Sequence, residues 1–173
     1  MISTPQAKAK TVHPLARFVT KEAIALLLKI EAAQIKDVRC WPNVILVVGQ
    51  GLSKFVSYAD LPPILGVKPP TNQDFVCWLK RWKKLEKKQA PDFWVKFYAQ
   101  KFGHSLSVAE LYRWGQLVHM IKFALSEKAV LALRSIYTEE RYCLENVYVA
   151  SQTKNGKQTR HAHPNHRAAS LAW

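Results

Sequence analysis

Residues 60–88, DLPPILGVKPPTNQDFVCWLKRWKKLEKK, read as a short helix, a Gly/Pro turn and a longer helix with a dense block of positive charge. Asp60 is placed to cap the first helix, Pro62 and Pro63 to fill its first turn, and Gly66 to end it. Thr71, Asn72, Gln73 and Asp74 have the Ser/Thr-x-x-acid form of a capping box and predict a second helix over 71–88. At about 100° per residue, Phe75, Trp78, Leu79, Trp82 and Leu85 fall on one arc of that helix. Lys80, Arg81, Lys83, Lys84, Lys87 and Lys88 take most of the opposite side. One face is suited to burial and the other to a negatively charged partner.

On the N-terminal side, residues 1–19 read as a basic arm, with Pro5 and Pro14 opposing a helix. Thr20 opens a helix expected to run to about Gln34, with Ile24, Leu27 and Leu28 on its apolar stripe. Residues 38–41, 44–48 and 53–58 are apolar and β-branched, separated by Pro42 and Asn43 and by Gly49, Gln50 and Gly51, and predict three short strands. The middle one is apolar on both faces, which suits a central position. VILVVGQGLSK also looks like the start of a dinucleotide-binding unit. Lys54 replaces the third glycine, however, and strand-like residues follow where a helix is needed, so a hairpin turn is the better reading.

On the C-terminal side, Pro91 can open a helix through Phe102 that Gly103 ends, with Phe93, Trp94, Phe97 and Tyr98 as an aromatic face for the core. Ser107 and Glu110 frame a second capping box, starting a helix to about Leu125 with Leu111, Gly115, Val118, Ile121 and Leu125 inward. A further helix is expected over 126–137, with Val130, Leu131, Leu133 and Ile136 inward. Residues 142–151 alternate as a strand would. Lys154, Asn155, Gly156 and Lys157 are a hairpin turn signal, and 158–161 would form the return strand. Helices followed by such a hairpin are also what a winged helix would look like.

The expected fold is therefore α+β and mostly helical, with a small antiparallel sheet and hairpins. One globular domain would cover 20–150, followed by a basic hairpin and a His-containing tail over 151–173. In 173 residues, 26 Lys and Arg face 12 Asp and Glu, giving a net charge of +14 that favours polyanions, nucleic acid before acidic protein or anionic lipid. Cys40, Cys77 and Cys143 are widely spaced and odd in number, which fits a reducing, cytoplasmic setting better than a disulfide framework. The longest aliphatic runs are too short to span a bilayer, and the N-terminus lacks a signal-peptide pattern. Oligomeric state is left open.

Leu65, Gly66 and Val67, followed by a helix containing Trp78, resemble the corresponding run of many DNA-binding helix-turn-helix units. The turn is longer than the usual three or four residues, so the unit would be atypical. The resemblance implies that Asn72, Gln73 and Asp74 lie toward bases while the Lys/Arg block tracks phosphates. Six basic residues in nine with Glu86 as the only acid exceeds what a solvated face needs, and the block lacks i,i+4 acidic partners. DNA is thus the expected partner ahead of RNA. The expected contacts are Asn72, Gln73, Lys80, Arg81, Lys83, Lys84, Lys87 and Lys88, assisted by Lys154, Lys157 and Arg160. An adaptor or inhibitor whose basic face docks an acidic protein is the rival reading. His161, His163 and His166 form a run that binds metal only adventitiously without further ligands, so no metal or cofactor is expected. With no G-x-S-x-G, H-E-x-x-H or phosphate loop, the sequence makes no case for an enzyme.

Overall fold

A computed structural model describes residues 13–87 and 89–154, the last eight as backbone only. The chain is mostly helical α+β with one small antiparallel sheet. Contacts group it into two compact units that divide between Phe97 and Tyr98. No helix among the described residues is long and apolar enough to cross a membrane.

The first unit begins with a 3-10 turn, Pro14–Phe18, capped by His13, whose Nδ1 accepts from the Leu15 N–H. Its Leu15 and Phe18 are fully buried, so this part of the expected arm belongs to the core. Helix α1, Lys21–Leu28, is capped by the Thr20 hydroxyl and ends at Lys29 in the left-handed conformation, six residues short of expectation. A 3-10 turn, Ala32–Gln34, leads into the sheet.

Strands β1 (Ile35–Cys40), β2 (Ile45–Gly49) and β3 (Leu52–Val56) form an antiparallel meander with β2 in the centre. Pro42 and Asn43 make the first turn, closed by the Trp41 N–H on the Val44 carbonyl. Gln50 and Gly51 make the second, where Gly51, at the second turn position, takes a positive φ of 65° that glycine adopts without strain. Gly49-x-Gly51 is thus a hairpin corner and no phosphate loop. Ile45, Val47 and Val56 are buried on one sheet face. A register shift between Ile35 and Asp37 marks a bulge, after which Ile35 is buried as well.

The expected short helix at 60–66 is absent. A 3-10 turn, Tyr58–Asp60, ends at Leu61, whose backbone is extended (φ −89°, ψ 144°), and no helix forms before Thr71. The cause is local. Leu61 and Pro62 each precede a proline, which disfavours the α region, and Pro69 and Pro70 repeat the constraint. Without a first helix there is no helix-turn-helix, typical or otherwise. Helix α2, Asn72–Lys84, follows, and then α3, Phe93–Gly103.

In the second unit, α4 (Val108–Ile121) is capped by the Ser107 hydroxyl, and Glu110 accepts from the Leu106 N–H instead of completing a box with Ser107. The sequence Ile121 to Leu125 closes through a 3-10 turn, and the Ser126 hydroxyl accepts from Ala129 at the start of α5, Glu127–Lys154. Tyr98, Phe102, Leu111, Trp114, Leu117, Val118, Ile121, Leu133 and Tyr137 make this unit's core. Residues 142–151, expected as a strand, continue α5 without interruption. The hairpin therefore has no first strand, and its turn and return strand, with Lys157 and Arg160, lie outside the described residues, as do the histidines of the tail.

Candidate nucleic-acid interface

Helix α2 starts as its capping box requires. The Thr71 hydroxyl accepts from the Asp74 N–H, and Asp74 Oδ2 accepts from the Thr71 N–H (2.7 Å) and its hydroxyl (2.8 Å). Asp74 is 1% exposed, a position no carboxylate holds without a counter-charge. Arg17 supplies it, reaching both carboxylate oxygens. Burial pushes the Asp74 carboxyl up, but Arg17 and the Thr71 donors outweigh that and hold its pKa below the ordinary range.

The opposite end is closed by backbone. Glu86 N–H bonds the Lys83 carbonyl (3.1 Å) and Lys87 N–H the Trp82 carbonyl (2.9 Å), with Glu86 at φ 56°. This is the Schellman pattern with a glutamate where glycine is usual. It stops the helix at Lys84, four residues before the expected end. Lys87 lies past the helix and Lys88 outside the described residues.

Trp78 and Trp82 are buried as their spacing requires, each meeting Trp94 edge-on at 5.7 Å. Phe75 is half-buried against Trp78, and the other two residues of the expected arc are turned. Leu79 and Leu85 are 48% and 41% exposed, while Asp74 takes the place on the buried side. Two acids explain the rotation: Asp74 draws one edge of α2 toward Arg17, and Asp60 draws Arg81. Asp60 Oδ1 and Oδ2 accept from Arg81 Nε (2.8 Å) and Nη2 (3.0 Å). The Asp60 carbonyl also accepts from Trp94 Nε1 (3.0 Å), and that of Leu61 from Trp78 Nε1 (3.2 Å). The hydrogen bonds that Arg81 donates to Asp60 raise its pKa further above its already high value. Arg81 is thus a structural cation, already engaged, and is withdrawn from the expected set of phosphate contacts.

What remains on the solvent side of α2 is Asn72 and Gln73 at its start, Val76 and Leu79 in the middle, and Lys80, Lys83 and Lys84 toward its end, with Lys87 just beyond. These four lysines are exposed and have no ion pair with any described residue. Next to them, Lys87, Gln89, Ala90, Pro91 and Asp92 line an open depression of about 230 Å³, below the ~300 Å³ at which ligand pockets begin. Lys154 ends α5 in the other unit. Among the described residues no group of three or more His, Cys, Asp or Glu could hold a metal ion. All three cysteines are free.

The Asp60–Arg81 and Arg17–Asp74 pairs were hidden from sequence because their members lie 21 and 57 residues apart. The signal that could have exposed Arg81 was its place next to Trp82 on a helix edge, where a long cation borders the core. Compared with protein-family models, curated proteins and solved structures, the chain has no match.

Proposed function

We propose that the protein binds nucleic acid, DNA ahead of RNA, through the solvent face of α2. The observation that carries this reading is the cluster Lys80, Lys83, Lys84 and Lys87, exposed and without an ion pair among the described residues, at one helix end of a chain with net charge +14. Phosphate contact works by charge neutralisation and counterion release, which needs cations free of protein carboxylates. The four lysines meet that condition and Arg81 does not. Asn72 and Gln73, exposed at the helix start, are the groups suited to base edges. No catalytic role is proposed.

Val76 and Leu79, 48% exposed among these lysines, favour a second reading: docking of an acidic protein surface that also offers an apolar patch. Titrating labelled duplex DNA, single-stranded DNA and RNA with wild type and the Lys80/Lys83/Lys84→Glu variant separates the two. Binding in the micromolar range or tighter that the variant loses supports the nucleic-acid role. Uniformly weak binding that ignores the variant supports a protein partner. Arg81 stays wild type in this test, because reversing it would strand Asp60 and unfold the site.

A further inference from the structure

The sheet turns one face to the core and leaves the other bare. On the bare face Arg39, Leu46 and Phe55 stand in one cross-strand row, and Trp41 lies two residues beyond Arg39. Trp41 is 46% and Phe55 63% exposed. Their ring centroids are 5.6 Å apart at a tilt of 50°, so the two rings are not stacked on each other. Trp41 is held from both sides of its backbone. Its N–H bonds the Val44 carbonyl (2.9 Å), and its carbonyl accepts from the hydroxyl of Tyr58 (2.7 Å). Tyr58 is itself buried and stacked on His13 at 4.3 Å.

The charge around the two rings is positive. Lys36 and Arg39 are exposed on β1, against one acid, Asp37, which Arg39 engages at 2.7 Å, while Lys54, paired with Val47, leaves β3 on the opposite side from Phe55. Lys36 and Lys54 sit on the two edge strands, and β1 is bulged at Lys36. Charged side chains and bulges are what keep sheet edges from pairing with another strand. The edges are thus guarded while the aromatic face is left open.

We propose that this face is a stacking platform for the unpaired bases of single-stranded nucleic acid, with Trp41 and Phe55 each taking a base and Lys36 meeting a phosphate. The proposal rests on the nucleic-acid reading of α2 and narrows it to single strands. Every base has a π face, so stacking on aromatic rings tolerates any sequence, whereas bases in a duplex are already stacked and paired.

The test uses the full chain, a labelled oligothymidine of about twelve nucleotides, within the usual site size of such surfaces, and a duplex of equal length. Trp41→Thr and Phe55→Thr keep β propensity and remove the rings, while Trp41→Phe and Phe55→Tyr keep an aromatic face. Each Thr variant is expected to weaken oligothymidine binding about tenfold, with duplex binding unchanged and the aromatic variants near wild type. Photo-crosslinking of a bromouridine-substituted strand to wild type, which needs no variant to fold, is expected to mark the peptides holding Trp41 and Phe55. Folded Thr variants that bind as wild type, or crosslinks elsewhere only, overturn the platform while leaving α2 untouched. Self-association lost in the Thr variants without change in oligothymidine affinity also overturns it and assigns the face to a second copy. A wild type that binds neither strand form removes the platform and the α2 reading together.

Discussion

Arg17 commits all five of its N–H donors at the entrance to α2. Nε bonds the Lys68 carbonyl, Nη1 the Pro14 carbonyl and Asp74 Oδ1, and Nη2 the Pro69 carbonyl and Asp74 Oδ2. One side chain therefore ties the N-terminal turn, the proline loop and the helix start together. Removing one member of a buried pair leaves the other charge uncompensated, so Arg17→Ala is expected to lower unfolding free energy by about 3 kcal/mol in urea titrations. Lys83→Ala, on the exposed face, should change it by under about 0.5 kcal/mol. The same pair sets an acid limit. A carboxyl with a lowered folded pKa contributes stability above its unfolded pKa and loses it as pH falls through the folded value, so Asp74 weakens the fold below about pH 4. His13 acts at higher pH. Burial lowers its pKa against the opposing pull of Asp74, its ring stacks on Tyr58, and its Nδ1 must be unprotonated to accept from Leu15. Stability should thus already decline as pH drops below about 6.5, and His13→Asn, which keeps a capping oxygen, should remove that first step and spare the second. The tryptophans differ in the same way. Trp78 Nε1 has its acceptor in Leu61, whereas Trp82 Nε1 is buried with no partner among the described residues. Trp78→Phe should cost about 1–2 kcal/mol more than Trp82→Phe, since only the former strands an acceptor.

At the scale of elements, α4 and α5 approach so closely that a Cβ on Gly115 would lie 2.8 Å from the Tyr137 ring. Tyr137 is buried and cannot swing clear, so Gly115→Ala should be destabilising by about 1 kcal/mol or more, overpacking outweighing the gain in helix propensity. A Cβ on Gly103 would meet only the flexible end of Glu140 at 3.3 Å, and Gly103→Ala should be neutral or stabilising, both variants being read in urea titrations. The three strands, both hairpin corners and the caps at Thr20, Thr71 and Ser107 were legible because each is set by a few adjacent residues. Two expectations failed for opposite reasons. Residues 60–66 carry helix-like punctuation, but paired prolines fix the residue before each in extended backbone. Residues 142–151 alternate like a strand, yet no glycine or proline interrupts the chain from Glu127 to Lys154, and a running helix needs a stop signal to end. That missing stop was visible in the sequence.

For the molecule as a whole, the dense basic block proves to be two populations. Asp60 turns Arg81 inward as part of the fold, which leaves Lys80, Lys83, Lys84 and Lys87 as the block's free charge among the described residues. Composition supplied the charge expected of a partner, and periodicity put Trp78 and Trp82 in the core. Which cations are free depends on acids far away in the chain, and that only tertiary structure reveals. The same holds for Trp41 and Phe55, whose side of the sheet follows from register. The proposed function depends on the lysines, so the most direct measurement is the slope of log binding constant against log salt for labelled nucleic acid. It is to be made with wild type and with Lys80, Lys83, Lys84 and Lys87 changed to Gln. If each lysine neutralises a phosphate, the wild-type slope should be steeper by about 3, with circular dichroism identical for the two proteins. Equal slopes for the two folded proteins would show that α2 does not meet phosphates and would contradict the proposed interface.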